Sequence, residues 1–103
     1  MATKTLGGKT IEVNEEGYLL STDEWNRDVA TDLAKEEGIE LTDTHFAVLD
    51  FLRDKAKSGD TITIRSVGKS GITDIKQFYK LFPKGPLKKS SKIAGISKPS
   101  SCV

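Results

Sequence analysis

One cysteine and one histidine among 103 residues leave little room for several familiar chemistries. A lone cysteine has no partner within the chain for a disulfide, and one Cys with one His cannot furnish a zinc set of the usual kind. No Ser/His/Asp arrangement can be argued around His45. Gly68-Lys69-Ser70 looks like the end of a phosphate-binding loop, but Thr63 stands where that loop needs its first glycine, and no clear strand precedes it. These absences argue against a conventional hydrolase or nucleotide enzyme, and no metal or organic cofactor is expected. No apolar run approaches the ~18 residues of a membrane span, and the opening MATKTLGGKT lacks the apolar stretch of a secretory leader. With a single cysteine, the expected setting is the reducing cytoplasm.

What is present is unevenly distributed. The net charge of +1 conceals 14 of the 15 acids and only 7 Lys/Arg in residues 1–60, a charge of −7. Residues 61–103 carry 9 Lys/Arg and one acid, Asp74, a charge of +8. Either the second half meets an anionic partner, nucleic acid or an acidic protein surface, or the two halves attract each other within the fold.

The patterning is that of one small, mainly α domain. TKTLGGKTIEV alternates around Gly7-Gly8 and predicts a hairpin, which must lie on something else because two strands alone are marginal. STDEWNRDVATDLAKEEG predicts a helix capped by Ser21 or Thr22, with Trp25, Val29 and Leu33 on one face and Gly38 as its stop. A second helix begins at the Thr42 cap, with Phe46, Leu49, Leu52 and Ala56 as its apolar stripe. A lone histidine at its start, His45, is a packing or capping residue before it is a ligand. Asp50 and Asp54, one turn apart, mark a solvated face. A short helix is expected from about Ile64 to Ser70. Another is expected with Thr73 as cap and Ile75, Phe78, Tyr79 and Phe82 facing inward. A last one starts at Pro86 and ends at Gly95. ISKPSSCV has no periodicity and reads as an arm.

Two stretches could carry a function. The two short helices around IRSVGKSGITDIKQFYKL resemble a helix-turn-helix, with Arg65, Lys69, Lys76 and Lys80 available to phosphates and the hairpin as a wing; ordinary helix packing with solvated lysines is the plainer reading. Cys102, second from the C-terminus, is either an accidental exposed thiol or a nucleophile carried on an arm. Lys98, Lys92, Lys89 and Lys88 lie near it in sequence and favour the thiolate, while the Val103 carboxylate opposes it.

The tail decides between these. Tyr79 to Val103, YKLFPKGPLKKSSKIAGISKPSSCV, resembles the C-terminal signature of the DsrC/TusE sulfur-carrier family: an aromatic–x–LFPxGP block, a basic linker, and an AGxxKPxxC tail with penultimate cysteine. EEGYL, Trp25, the LT…H segment and FLRD agree more loosely. The resemblance implies a helical fold with an N-terminal hairpin, a helix-turn-helix-like element and a mobile arm, divided here as residues 1–94 and 95–103. It implies that Cys102 carries sulfur as a persulfide between proteins, with Lys98 and Arg65 favouring the anion. The protein would then be a sulfurtransferase-like carrier rather than a free-standing enzyme. In the sulfite-reductase branch a second cysteine lies eleven residues earlier and bonds to the first; here that position is Ser91, so the chain resembles the one-cysteine, TusE-like branch that relays sulfur toward tRNA 2-thiouridine. Phe46 replaces the usual helix tryptophan, the segment before Tyr79 is shorter than usual, and Ser97 and Ser101 stand where proline and glycine are common. The expected partners are sulfur-donor and sulfur-acceptor proteins, in a tRNA-thiolation or sulfite-reductase setting. The alternatives are a winged-helix-like DNA-binding redox regulator, or a docking gamma-type partner of dissimilatory sulfite reductase.

Overall fold

The computed structural model describes residues 2–60 and 62–96. Strands β1 (Ala2–Leu6) and β2 (Lys9–Val13) pair antiparallel with Leu6 opposite Lys9. Gly7 and Gly8 both take positive φ, 59° and 80°, the backbone a two-residue hairpin turn needs to match the strand twist. Leu6, Ile11 and Val13 are buried, and the support they require comes from α1 (Arg27–Glu36). The Gly7 N–H donates to Asp32 Oδ2 at 2.7 Å, and Lys4 pairs with Glu36.

The first helix starts later than the sequence suggests. Thr22–Glu24 forms a single 3-10 turn, and α1 is capped by neither Ser21 nor Thr22 but by Asn26, whose Oδ1 accepts from the Val29 N–H at 2.8 Å. Asparagine is as good a cap as serine, and starting there leaves Trp25 outside the helix, free to face the opposite end of the chain. At its C-terminus the Gly38 N–H donates to Lys35 O (3.1 Å) and the Ile39 N–H to Ala34 O (2.8 Å), the paired bonds of a Schellman ending.

Helix α2 (Asp43–Lys57) follows the Thr42 cap as expected, but its buried stripe is rotated: His45, Val48, Leu49 and Leu52 are inside, Phe46 is half-buried and Ala56 is exposed. His45 closes the cap. Its Nδ1 accepts from the Thr42 N–H at 3.1 Å, and Nε2 lies 2.9 Å from Leu81 O, which fixes the proton on Nε2. The histidine thus joins the start of α2 to the backbone at Leu81 and is a structural residue. Asp50 and Asp54 are exposed.

Helices α3 (Ile64–Gly68) and α4 (Ile75–Leu81) are short and packed together. Thr63 and Ser66 cap α3 reciprocally, each side-chain oxygen accepting the other's N–H at 3.0 Å. Gly68-Lys69-Ser70 closes this helix, whereas a phosphate loop opens one. Two expectations for α4 fail. Asp74, not Thr73, is the cap, accepting from the Gln77 N–H at 2.7 Å. Ile75 and Tyr79 do not face inward: they are 44% and 45% exposed, and only Phe78 and Phe82 reach the core. The two phenylalanines meet edge to face with centroids 5.8 Å apart, and Phe82 meets the His45 ring similarly at 5.1 Å.

Lys84 and Gly85, both at positive φ, turn the chain into α5 (Pro86–Ile93), with Pro86 at its first position as expected. Leu87 and Ile93 join Val29, Leu33, Val48, Leu49, Leu52, Val67, Phe78 and Phe82 in one core. The fold is therefore a five-helix arrangement, among the described residues, with a hairpin on one side, as the patterning implied.

Candidate functional site

Residues 97–103, and with them Lys98 and Cys102, lie outside the described residues. What can be built from the residues upward is the C-terminal end of α5, from which the chain runs on toward them. Helix α5 ends by the same Schellman device as α1: the Gly95 N–H donates to Lys92 O (3.1 Å) and the Ile96 N–H to Ser91 O (3.2 Å). Gly95 sits at φ 69°, and Ile96 is buried. Two side chains from elsewhere then take the carbonyls that the helix leaves over. Trp25 Nε1–H donates to Ile93 O at 2.7 Å, and the Arg53 guanidinium donates to Ala94 O at 2.9 Å. Arg53 also lies over the Trp25 ring, 4.3 Å from its centroid. Burial pulls Arg53 down from its usual very high range, with Asp50 and Asp23 holding against that.

Gly95 is pressed against the Trp25 side chain. A Cβ added there would come within 2.5 Å of Trp25 Cδ1, closer than nonbonded carbons approach. In the sequence Trp25 read as part of an apolar face and as a residue shared with a family pattern, and Arg53 only as the latter. Their common task at the end of α5 has no local signal, because the contacts span 68 and 41 positions.

Further back on α5, Tyr18 O–H donates to Lys88 O (3.2 Å); burial raises this phenol's pKa, and Glu16 and Glu37 add to the shift. Glu37, at the end of α1, lies 3.0 Å from Lys92 and 4.0 Å from Lys89. The acidic and basic halves therefore do meet inside the fold, but at this point only two of the basic residues are engaged.

Ser91 is fully buried, and its Oγ has no hydrogen-bond partner among the described residues. A hydroxyl taken out of water without a replacement bond carries its desolvation cost uncompensated. Ser91→Ala is accordingly expected to raise unfolding free energy by about 1 kcal/mol, visible as a higher denaturant midpoint with unchanged slope. A lower midpoint would mean that the hydroxyl is held after all.

Arg65, the third residue singled out in the sequence, is exposed on α3 and borders a hollow of about 510 Å³ with Gly68, Lys69, Asp74, Ile75 and Lys76. No group of three or more His, Cys, Asp or Glu among the described residues could hold a metal ion. None of the helices described is long and apolar enough to cross a membrane.

These features can be set beside known proteins. Over its full length the chain is 38% identical to the whole of the gamma subunit of dissimilatory-type sulfite reductase from Nitratidesulfovibrio vulgaris (Hildenborough). It is also 38% identical to the sulfurtransferase TusE of Escherichia coli K12, with 93% of this chain and 95% of that protein aligned. A chain in the crystal structure of dissimilatory sulfite reductase I superposes with a TM-score of 0.86 at 35% identity, covering 99% of this chain and all of the other. The family described as DsrC like protein matches residues 5–103. With sequence likeness and fold agreeing from the hairpin to the tail, the chain belongs to the DsrC-like protein family.

Proposed function

We propose that the protein is a sulfur-relay carrier whose working atom is Cys102 Sγ. The observation that carries this reading is the position of the only thiol, next to last in a chain of this family, beyond a helix end held by Trp25 and Arg53. In the loading step the Cys102 thiolate attacks the outer sulfur of a donor persulfide. The donor's S–S bond breaks, the donor leaves as thiolate, and Cys102 holds the persulfide. In the unloading step an acceptor nucleophile attacks that outer sulfur, and Cys102 leaves as thiolate. Electrons balance in each step without an external oxidant or reductant. Lys98 and Arg65 would favour the anionic forms by charge. On this reading residues 95–103 act as the arm and residues 1–94 as its support.

Ser91 bears on which relay this is. Internal release of the sulfur as sulfide, leaving a disulfide, needs a second thiol in the same chain, and there is none. The sulfur then has to leave to another protein's nucleophile. That favours the relay of the TusE-named relatives, toward tRNA thiolation, over the redox cycle of a sulfite reductase gamma subunit.

The test is intact mass after incubation with inorganic polysulfide, and separately with a cysteine desulfurase and cysteine. Adducts of whole sulfur atoms, lost on reduction and mapped by peptide mass to Cys102, are expected. A free Cys102 that gains no sulfur from any donor would end this reading.

A further inference from the structure

The strongest unexplained surface lies on α3 and α4. Ile75 and Tyr79, one helical turn apart on the same side of α4, are nearly half exposed, whereas almost all the other large apolar side chains among the described residues are buried or half-buried. Leu20, at 45%, is the third such residue. Lys76 and Lys80 sit one step around the helix from that pair. Arg65 and Lys69 on α3 share with Ile75 and Lys76 the 510 Å³ hollow between the helices. Gly68 lets the helices close on one another there, since a Cβ at that position would stand 2.6 Å from Ile75 Cγ1.

None of these four cations joins an ion pair among the described residues, in contrast to Lys89 and Lys92, which meet Glu37. The one acid at the hollow, Asp74, is turned to the Gln77 N–H as a helix cap. The surplus positive charge of the second half is thus presented outward here, around an apolar centre.

We propose that this face is the docking surface for an acidic protein, one whose carboxylates ring an apolar contact. Charge complementarity calls for an anion, and the apolar pair decides which kind. Phosphates of a nucleic acid backbone would satisfy the cations and leave Ile75 and Tyr79 in water. A protein surface covers both, with the tyrosine and isoleucine at its centre and the long cationic side chains at its rim. The proposal concerns recognition; of its cations only Arg65 is shared with the reading of Cys102 above, and the variants that test it leave Arg65 in place.

The full chain, labelled with nitrogen-15, is titrated with a helical glutamate-rich peptide bearing leucines at i and i+4, and separately with a duplex DNA of mixed sequence. Amide shifts confined to α3, α4 and the turn between them are expected with the peptide. The affinity should fall steeply from low to physiological salt. It should drop at least about tenfold in the double variant Lys76→Glu, Lys80→Glu, and comparably when the peptide leucines become serines. The proposal is overturned by peptide shifts that are absent or scattered elsewhere, by a double variant that binds as well as the original, or by duplex DNA binding this face more tightly than the peptide.

Discussion

Cys102→Ser is expected to abolish sulfur uptake completely while leaving thermal unfolding where it was. The effect is all-or-none because a persulfide requires a sulfur–sulfur bond, and the only other sulfur in the chain is the thioether of Met1, which cannot form one. A serine hydroxyl stays protonated at working pH and offers neither the polarisable nucleophile nor the sulfur atom. Stability should not follow activity down, because serine differs from cysteine by a single atom and fits the same space. Intact mass and a thermal melt on the same sample separate the two. Sulfur retained by the variant would overturn the carrier reading; a large fall in Tm would show that Cys102 also holds the fold.

Gly95→Ala carries the largest expected change in stability. Two costs combine there. The residue sits at φ 69°, where a side chain meets the backbone at about 1–2 kcal/mol, and the new methyl group would enter the Trp25 ring, adding the about 1–3 kcal/mol of an overfilled site. The sum, about 2–5 kcal/mol, is a large share of the stability of a domain this size. Gly8→Ala provides the control. Gly8 has a similar φ of 80° but open space around its absent side chain, so it should lose only the backbone part. Chemical denaturation of both variants gives the difference, which measures how firmly Trp25 is held. Equal losses would mean that the indole moves aside freely.

How much of this was legible depends on how local each signal is. The hairpin was readable because Gly7-Gly8 and the alternation on either side are contiguous. The end of α5 was readable because Pro86 and Gly95 punctuate it. The start of α1 was misread because Ser21, Thr22 and Asn26 are all competent caps. What selects among them is the bond from Trp25 to Ile93, which no window of a dozen residues contains. Helix α4 failed for a different reason. Ile75, Phe78, Tyr79 and Phe82 form one apolar stripe, and a helix of seven residues has too few turns to tell the stripe's centre from its edge. The core takes the Phe78–Phe82 side, and the other edge is left to solvent. For the site, Cys102 was singled out by its position as the lone thiol and then by the tail motif, both contiguous in sequence, whereas Trp25 and Arg53 acquire their role only when the chain closes on itself.

Trp25 is also the only tryptophan in the protein, and that has a practical consequence. Its indole N–H, its ring face and its edge are each committed to the C-terminal end of α5, through Ile93, Arg53 and Gly95. Near-ultraviolet emission from this molecule therefore comes chiefly from one chromophore placed where that helix ends. Excited selectively at the red edge, it reports a single location without any label. A partner that engages this end of the chain hard enough to lift the Ile93 carbonyl off the indole would announce itself as a change in colour or brightness, on the time scale of a stopped-flow trace.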